Sequence, residues 1–311
     1  MPPDFDLRLT ARSHGWYRLA PLAWDAGAGV LRVSIAVDDA TAVTARVRQR
    51  RDVLTGTIAA ATPLSPPQRQ RVLAAIRRMV DLDADLSDFH ALARRDPRLA
   101  WAAERGAGRL LRAPSAFEDL IKIVCTTNCS WSLTETMVAR LVDRAGLPAP
   151  GGRAFPTPAA LARRSERFFR EVVRAGYRAP HLLRLARAVA RGEVNPDGWA
   201  DRSDVDALRR ELLALPGVGP YAAAHLLRLC GHYDDPGIDA WVRARFQRIY
   251  NLRRPPTDAR IVRRYRAFGR WLGLALWLDV TRDWHVPQAP AQDAAGPARR
   301  SRRRAPTRPG R

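Results

Sequence analysis

Residues 211–246 read ELLALPGVGPYAAAHLLRLCGHYDDPGIDAWVRARF. Leu208, Leu212, Leu213 and Leu215 give one apolar face to a helix that starts just before this stretch, and Ala222, Ala223, Leu226, Leu227 and Cys230 give one to a second helix. Between them lies Leu215-Pro216-Gly217-Val218-Gly219. Two glycines separated by a valine reach backbone torsions closed to other residues and let main-chain amides come close to a ligand. Pro220 fits the first turn of the second helix, where its missing N–H leaves no bond unmade. The free amides at that helix start suit a phosphate.

Composition bounds the partner. At 311 residues the chain has room for a large core and about two domains. With 46% hydrophobic and 27% charged residues it belongs among globular chains rather than disordered ones. The net charge of +22 points to a polyanion, a solvated basic surface being the plain alternative. Residues 285–311 carry seven arginines against one acid, Asp293, with no apolar periodicity, and read as a disordered basic tail. The rest of the chain keeps +16, so the inference of a nucleic-acid partner does not depend on that tail. MPPDFDLRLT at the start has no apolar signal core, and no apolar run reaches the ~18 residues of a membrane span. A cytoplasmic, nucleoid-associated monomer with no membrane partner is expected.

The hairpin, followed 20 residues past Gly219 by Asp239 in Gly-Ile-Asp-Ala-Trp-Val-x-Arg, resembles the helix-hairpin-helix superfamily of DNA glycosylases. The resemblance implies that Leu215, Gly217, Val218 and Gly219 grip the DNA backbone, with a monovalent cation allowed at the hairpin, and that Asp239 serves the chemistry. A carboxylate beside the sugar stabilises the positive charge that develops as a base leaves and orients the attacking water. An ordinary helix N-cap is the plain alternative for Asp239. Bifunctional members carry a nucleophilic lysine two residues past the second hairpin glycine. Here that position is Tyr221, and Lys122 is the only lysine in the chain. The expectation is therefore a monofunctional glycosylase that leaves an abasic site in double-stranded damaged DNA.

Cys125, Cys129 and Cys230 are too few for the four-cysteine iron-sulfur cluster of some relatives, and the histidines lack zinc spacing. No metal and no cofactor are expected. Residues 1–60 alternate as strands, at Phe5, Leu7 and Leu9, at Leu31, Val33, Ile35 and Val37, and at Val43, Ala45 and Val47. A helix over residues 65–80, capped by Ser65, would face Val72, Leu73, Ile76 and Val80 inward, and Ser87 would cap the next. Alkylpurine (3-methyladenine) DNA glycosylases of the superfamily begin with a similar small α+β domain. The expected architecture is mostly α: an N-terminal α+β domain over 1–95, a helical glycosylase domain over 96–284, and the tail over 285–311.

Within Ser13-His14-Gly15-Trp16-Tyr17, an aromatic buried in a sheet outweighs one that reaches an active-site cleft. The polar break at 126–130, between two helical patterns, resembles the superfamily loop that fills the gap left by a flipped base. That makes Asn128 a wedge candidate with Thr127 beside it, against a loop that only caps two helices. The apolar run from Trp271 resembles the closing helix of the alkylpurine branch, where Trp271 would line the base pocket, core packing being the alternative. Tyr221 would stack on an extruded base with Trp271, and His225, one turn on, would face the same cleft or pack as a satisfied histidine. Cationic alkylated purines would gain cation-π attraction there. Excision of oxidised purines, and DNA binding without catalysis, stay open as alternatives.

Overall fold

The computed structural model describes residues 1–286; the basic tail lies outside the described residues except for its first two positions. Four antiparallel strands, β1 (Ala23–Asp25), β2 (Val30–Ala36), β3 (Ala42–Arg50) and β4 (Val53–Ala60), form a meander in sequence order. Their register pairs Leu31 with Val47, Val33 with Ala45 and Ile35 with Val43, and all six side chains are buried on one face. That face meets the helix Pro66–Met79, which Ser65 caps as the sequence predicts and which Gln68 closes into a capping box.

Three local expectations are corrected. Phe5, Leu7 and Leu9 do not make a strand: Asp6 caps the short helix Leu7–Ala11 by accepting from the Leu9 amide at 2.9 Å, and Leu7, Thr10 and Ala11 are buried at helical spacing. Leu73 is 55% exposed, and Met79 takes its inward place beside Val72. Ser87 opens the helix Ser87–Ala93 rather than capping it, because the Asp85 carboxylate accepts from its amide at 2.9 Å and from its hydroxyl at 2.7 Å.

The remaining residues are mainly helical, as expected, and pack in two cores. The first is continuous from the sheet through Ala116–Thr126, Trp131–Ala145 and Ala179–Ala190 to the hairpin helices Val205–Ala214 and Pro220–Leu229. The second gathers Phe89, Trp101, Phe246, Tyr265 and the closing helix Leu272–Val280. Asp279, 1% exposed, anchors it by accepting from Tyr250 and Tyr265 hydroxyls, each at 2.7 Å, and from Arg98 at 2.8 Å. Among the described residues no helix is long and apolar enough to cross a membrane. The loop 230–239 runs between the two cores and carries Asp239.

Candidate active site

Gly217 makes the hairpin turn with φ +78°, and a Cβ there would lie 2.9 Å from the His181 Cβ on the neighbouring helix. Gly219 differs from the expectation for a torsion-driven glycine: it is extended, at φ −97° and ψ −175°, and serves as N-cap of Pro220–Leu229. A Cβ on Gly219 would meet nothing within 4 Å, so its value is an open approach to the amides rather than a special torsion. Val218 is buried against the first core and Leu215 packs beside it. The hairpin therefore presents main chain outward and apolar side chains inward.

One turn along the second helix, a cleft of about 690 Å³ opens between the two cores. Tyr221, His225 and Asp239 all line it. The Tyr221 and His225 rings meet at a tilt of 57° with centroids 4.4 Å apart, and the Tyr221 hydroxyl lies 3.4 Å from Thr126 Oγ1. Burial first, then the Asp239 charge, raises the Tyr221 pKa, so the phenol stays protonated. Burial, then the Arg228 charge, pushes His225 well below the usual histidine range, and its ring is neutral at neutral pH.

Asp239 is both the N-cap and a cleft residue. Its Oδ1 accepts from the Val242 amide at 2.7 Å, which leaves Oδ2 without a protein partner among the described residues. The loop before it is held from several sides. Gly273 donates its amide to the Tyr233 carbonyl at 2.7 Å, at a point where a Cβ would sit 2.2 Å from the Asp235 carbonyl oxygen. Arg209 bonds the Asp235 carboxylate, and Arg228 donates to the Pro236 carbonyl at 2.9 Å. A carboxylate fixed in this way loses little freedom when a substrate arrives.

Trp271 is corrected. It is 7% exposed in the second core, stacked on Tyr233 at 5.4 Å and near Phe89 at 5.9 Å, and it does not line the cleft. The cleft aromatics of the closing segment are Trp284 and Trp277, and the Trp277 ring lies 6.2 Å from His225 and 5.8 Å from Trp241. Helix geometry explains the exchange: Gly273 presses the start of the closing helix against the loop, burying Trp271, and Trp277 emerges further on.

Trp16 is corrected as well. It belongs to a 3-10 turn, Gly15–Arg18, not to the sheet; it is buried, with its indole N–H donated to Asp119 at 2.7 Å, yet it lines the cleft together with His14, Gly15 and Tyr17. His14 bonds the Leu111 carbonyl through Nε2 at 2.6 Å, and burial lowers its pKa to about 4. Gly15 lies so close to Trp131 that a Cβ would meet its ring at 2.4 Å.

The wedge candidates sit in the loop after Ala116–Thr126. Asn128 is exposed with φ +46°, a left-handed torsion that asparagine tolerates, and its amide lies 3.4 Å from the Tyr177 hydroxyl. Thr127 is tied down: Arg178, itself buried, bonds both its hydroxyl and its carbonyl. Neither residue lines the cleft, but Thr126 and Cys129 on either side of them do.

Sequence reasoning missed Arg228, although Tyr221, His225 and Arg228 follow one helical face at i, i+4 and i+7. Arg228 is 3% exposed, lies in the cleft with its guanidinium carbon 5.1 Å over the Trp277 ring, and has an Nε without a partner. Among the described residues no group of three or more His, Cys, Asp or Glu is placed to hold a metal ion.

Residues 121–268 match the family model described as HhH-GPD superfamily base excision DNA repair protein. The match covers 148 of the 311 residues, so the chain resembles this superfamily over just under half of its length. The matched span runs from the helix before the wedge loop, through the hairpin and Asp239, to the turn before the closing helix. A Bacillus subtilis (strain 168) protein called DNA-3-methyladenine glycosylase is 24% identical over 211 residues, covering 64% of this chain and 68% of its own length. A Methanothermobacter thermautotrophicus protein called probable N-glycosylase/DNA lyase is 27% identical over 272 residues, covering 79% and 83%. The fold is similar to that of a 3-methyladenine DNA glycosylase from Archaeoglobus fulgidus, with a TM-score of 0.71 at 18% identity over 90% of this chain and 96% of the other. The family match spans both the hairpin and Asp239, and the fold likeness covers 90% of the chain.

Proposed function

We propose that the protein is a base-excision repair glycosylase that takes an alkylated purine out of duplex DNA into this cleft and hydrolyses its N-glycosidic bond. The observation that carries the reading is Asp239, its Oδ2 unengaged among the described residues, lining a cleft walled by Tyr221, His225 and Trp277. Bond cleavage places positive charge on the deoxyribose, and a fixed carboxylate stabilises it and orients the water that attacks. The carboxylate sits at the start of the helix Ala240–Ile249, as its N-cap. Tyr221 and Trp277 supply faces for the extruded base, the hairpin amides hold backbone phosphate, and Asn128 fills the vacated stack. The name of the Bacillus relative supports the alkylpurine class.

The absence of a lyase step is part of the proposal. No lysine lines the cleft, and Lys122 is 0% exposed, paired with Glu118 at 2.6 Å in the helix Ala116–Thr126. An amine so placed reaches no sugar carbon in the cleft. The Methanothermobacter relative bears a lyase name, so this point needs its own measurement.

Asp239→Asn is expected to lower the single-turnover release of alkylated bases by about 10²-fold or more while DNA binding persists. Unchanged release would remove Asp239 from the chemistry. Wild-type protein should leave alkali-labile sites without nicking, and borohydride should trap no adduct; a trapped adduct would refute the monofunctional reading.

A further inference from the structure

Burying a guanidinium without a carboxylate beside it is costly, so such groups call for an explanation. Arg228 is one: its hydrogen bonds go to the Pro236 carbonyl at 2.9 Å and to His225 Nδ1 at 3.4 Å, and its Nε is left with none. Space for it is provided by Gly237, at φ +59°, where a Cβ would lie 2.8 Å from Arg228 Nη2. Burial lowers its pKa to about 10, which still leaves it charged at neutral pH. The bond from Arg228 takes up Nδ1 of a neutral His225 and so puts the remaining ring proton on Nε2, making His225 a second donor. The polar groups contributed by this helix face are thus donors, and one of them is a cation.

We propose that Arg228 is a specificity residue of the base pocket: its guanidinium donates to a ring-nitrogen or carbonyl acceptor of the extruded purine and selects uncharged damaged bases over cationic N-methylpurines. The inference rests on the reading of the cleft as a base pocket, and it narrows the substrate class within it. A purine methylated at N7 has lost the acceptor at that atom and gained a positive charge, so it meets both a missing bond and a like charge. A 1,N6-ethenoadenine is also an alkylated purine, yet it is neutral and keeps its N7 acceptor. Cation-π attraction does not rescue the methylated base at Trp277, because the Arg228 guanidinium already lies over that ring, 5.1 Å from its centroid.

The test compares release of 1,N6-ethenoadenine and of 7-methylguanine from otherwise identical duplexes under single-turnover conditions. It uses wild type, Arg228→Gln, which keeps donors but removes the charge, and Arg228→Lys, which keeps the charge. The ratio of the two rates cancels the different intrinsic strengths of the two glycosidic bonds when variants are compared. Arg228→Gln should shift the ratio toward 7-methylguanine by at least about tenfold, and Arg228→Lys should stay nearer wild type. If Arg228 only pins the loop before Asp239, both variants lose both activities equally, the ratio holds, and the proposal is overturned. Should Arg228→Gln fail to fold, an Arg228→Lys ratio equal to or more tolerant of 7-methylguanine than that of a Trp277→Phe control overturns it too. Wild-type protein that releases neither base removes the glycosylase reading and this one with it, whereas release with an unmoved ratio removes this one alone.

Discussion

Trp277 donates its indole N–H to the Ser13 carbonyl at 3.0 Å, closing a contact between residues 264 apart in sequence. The closing helix and the N-terminal segment thereby form one side of the cleft together. Trp277 and Trp271 make a matched pair for testing it, since one lines the cleft and the other fills the second core. Trp277→Ala is expected to slow base release about 10- to 100-fold, the range of a lost base-aromatic stack. Trp271→Ala is expected to cost about 3–5 kcal/mol of stability through its cavity. Melting curves and single-turnover rates on both variants decide; equal effects on both quantities would contradict the assignment.

The two hairpin glycines should separate in the same way. Gly217→Ala puts a side chain at positive φ against His181 and is expected to destabilise by more than ~1 kcal/mol. Gly219→Ala fits its extended backbone and open surroundings, so the melting temperature should hold while DNA binding weakens for all sequences alike and depends less steeply on salt. A sequence-selective loss for Gly219→Ala would argue against phosphate contact.

Low pH should act through the cleft histidines. His14 has its pKa lowered to about 4, chiefly by burial, from 6.5. Above pH 6.5 both folded and unfolded forms are neutral, so nothing changes there. As pH falls from 6.5 toward 4 the unfolded chain takes up a proton that the folded chain refuses, and stability drops. His14→Gln removes this term, so the stability gap between wild type and variant should be smaller at pH 5 than at pH 7.5. A gap that is constant across the range counts against it.

Asp279 accepts from two tyrosine hydroxyls and an arginine deep in the second core. Asp279→Ala strands those donors and is expected to cost about 3–5 kcal/mol in denaturant unfolding. A loss under ~1 kcal/mol would mean that the network is solvated rather than buried.

Much of the site was legible because it is local. Gly217, Tyr221, His225 and Asp239 fall within a single stretch; helical spacing puts Tyr221 and His225 on one cleft, Asp239 joins them from the cap of the next helix, and Ser65 caps its helix through a local signal. What was not legible depends on packing between distant segments. Phe5, Leu7 and Leu9 alternate like a strand, yet Asp6 turns them into a helix. Whether Trp271 or Trp277 reaches the cleft is decided by the press of Gly273 on the Tyr233 to Asp235 loop, which no spacing within the closing helix encodes. Trp16 reads as a sheet aromatic until Asp119, 103 residues away, draws its indole into the cleft wall. Arg228 was passed over because an arginine on an amphipathic helix is ordinarily read as a solvated residue.

The sealed pair of Lys122 and Glu118 has a practical side. Since Lys122 is the chain's only lysine and has no solvent exposure, the folded protein offers no side-chain amine to acylating reagents or acetyl donors. Acylation of that one amine would therefore time the opening of the first core, making the rarest residue of the chain a clock for its local unfolding.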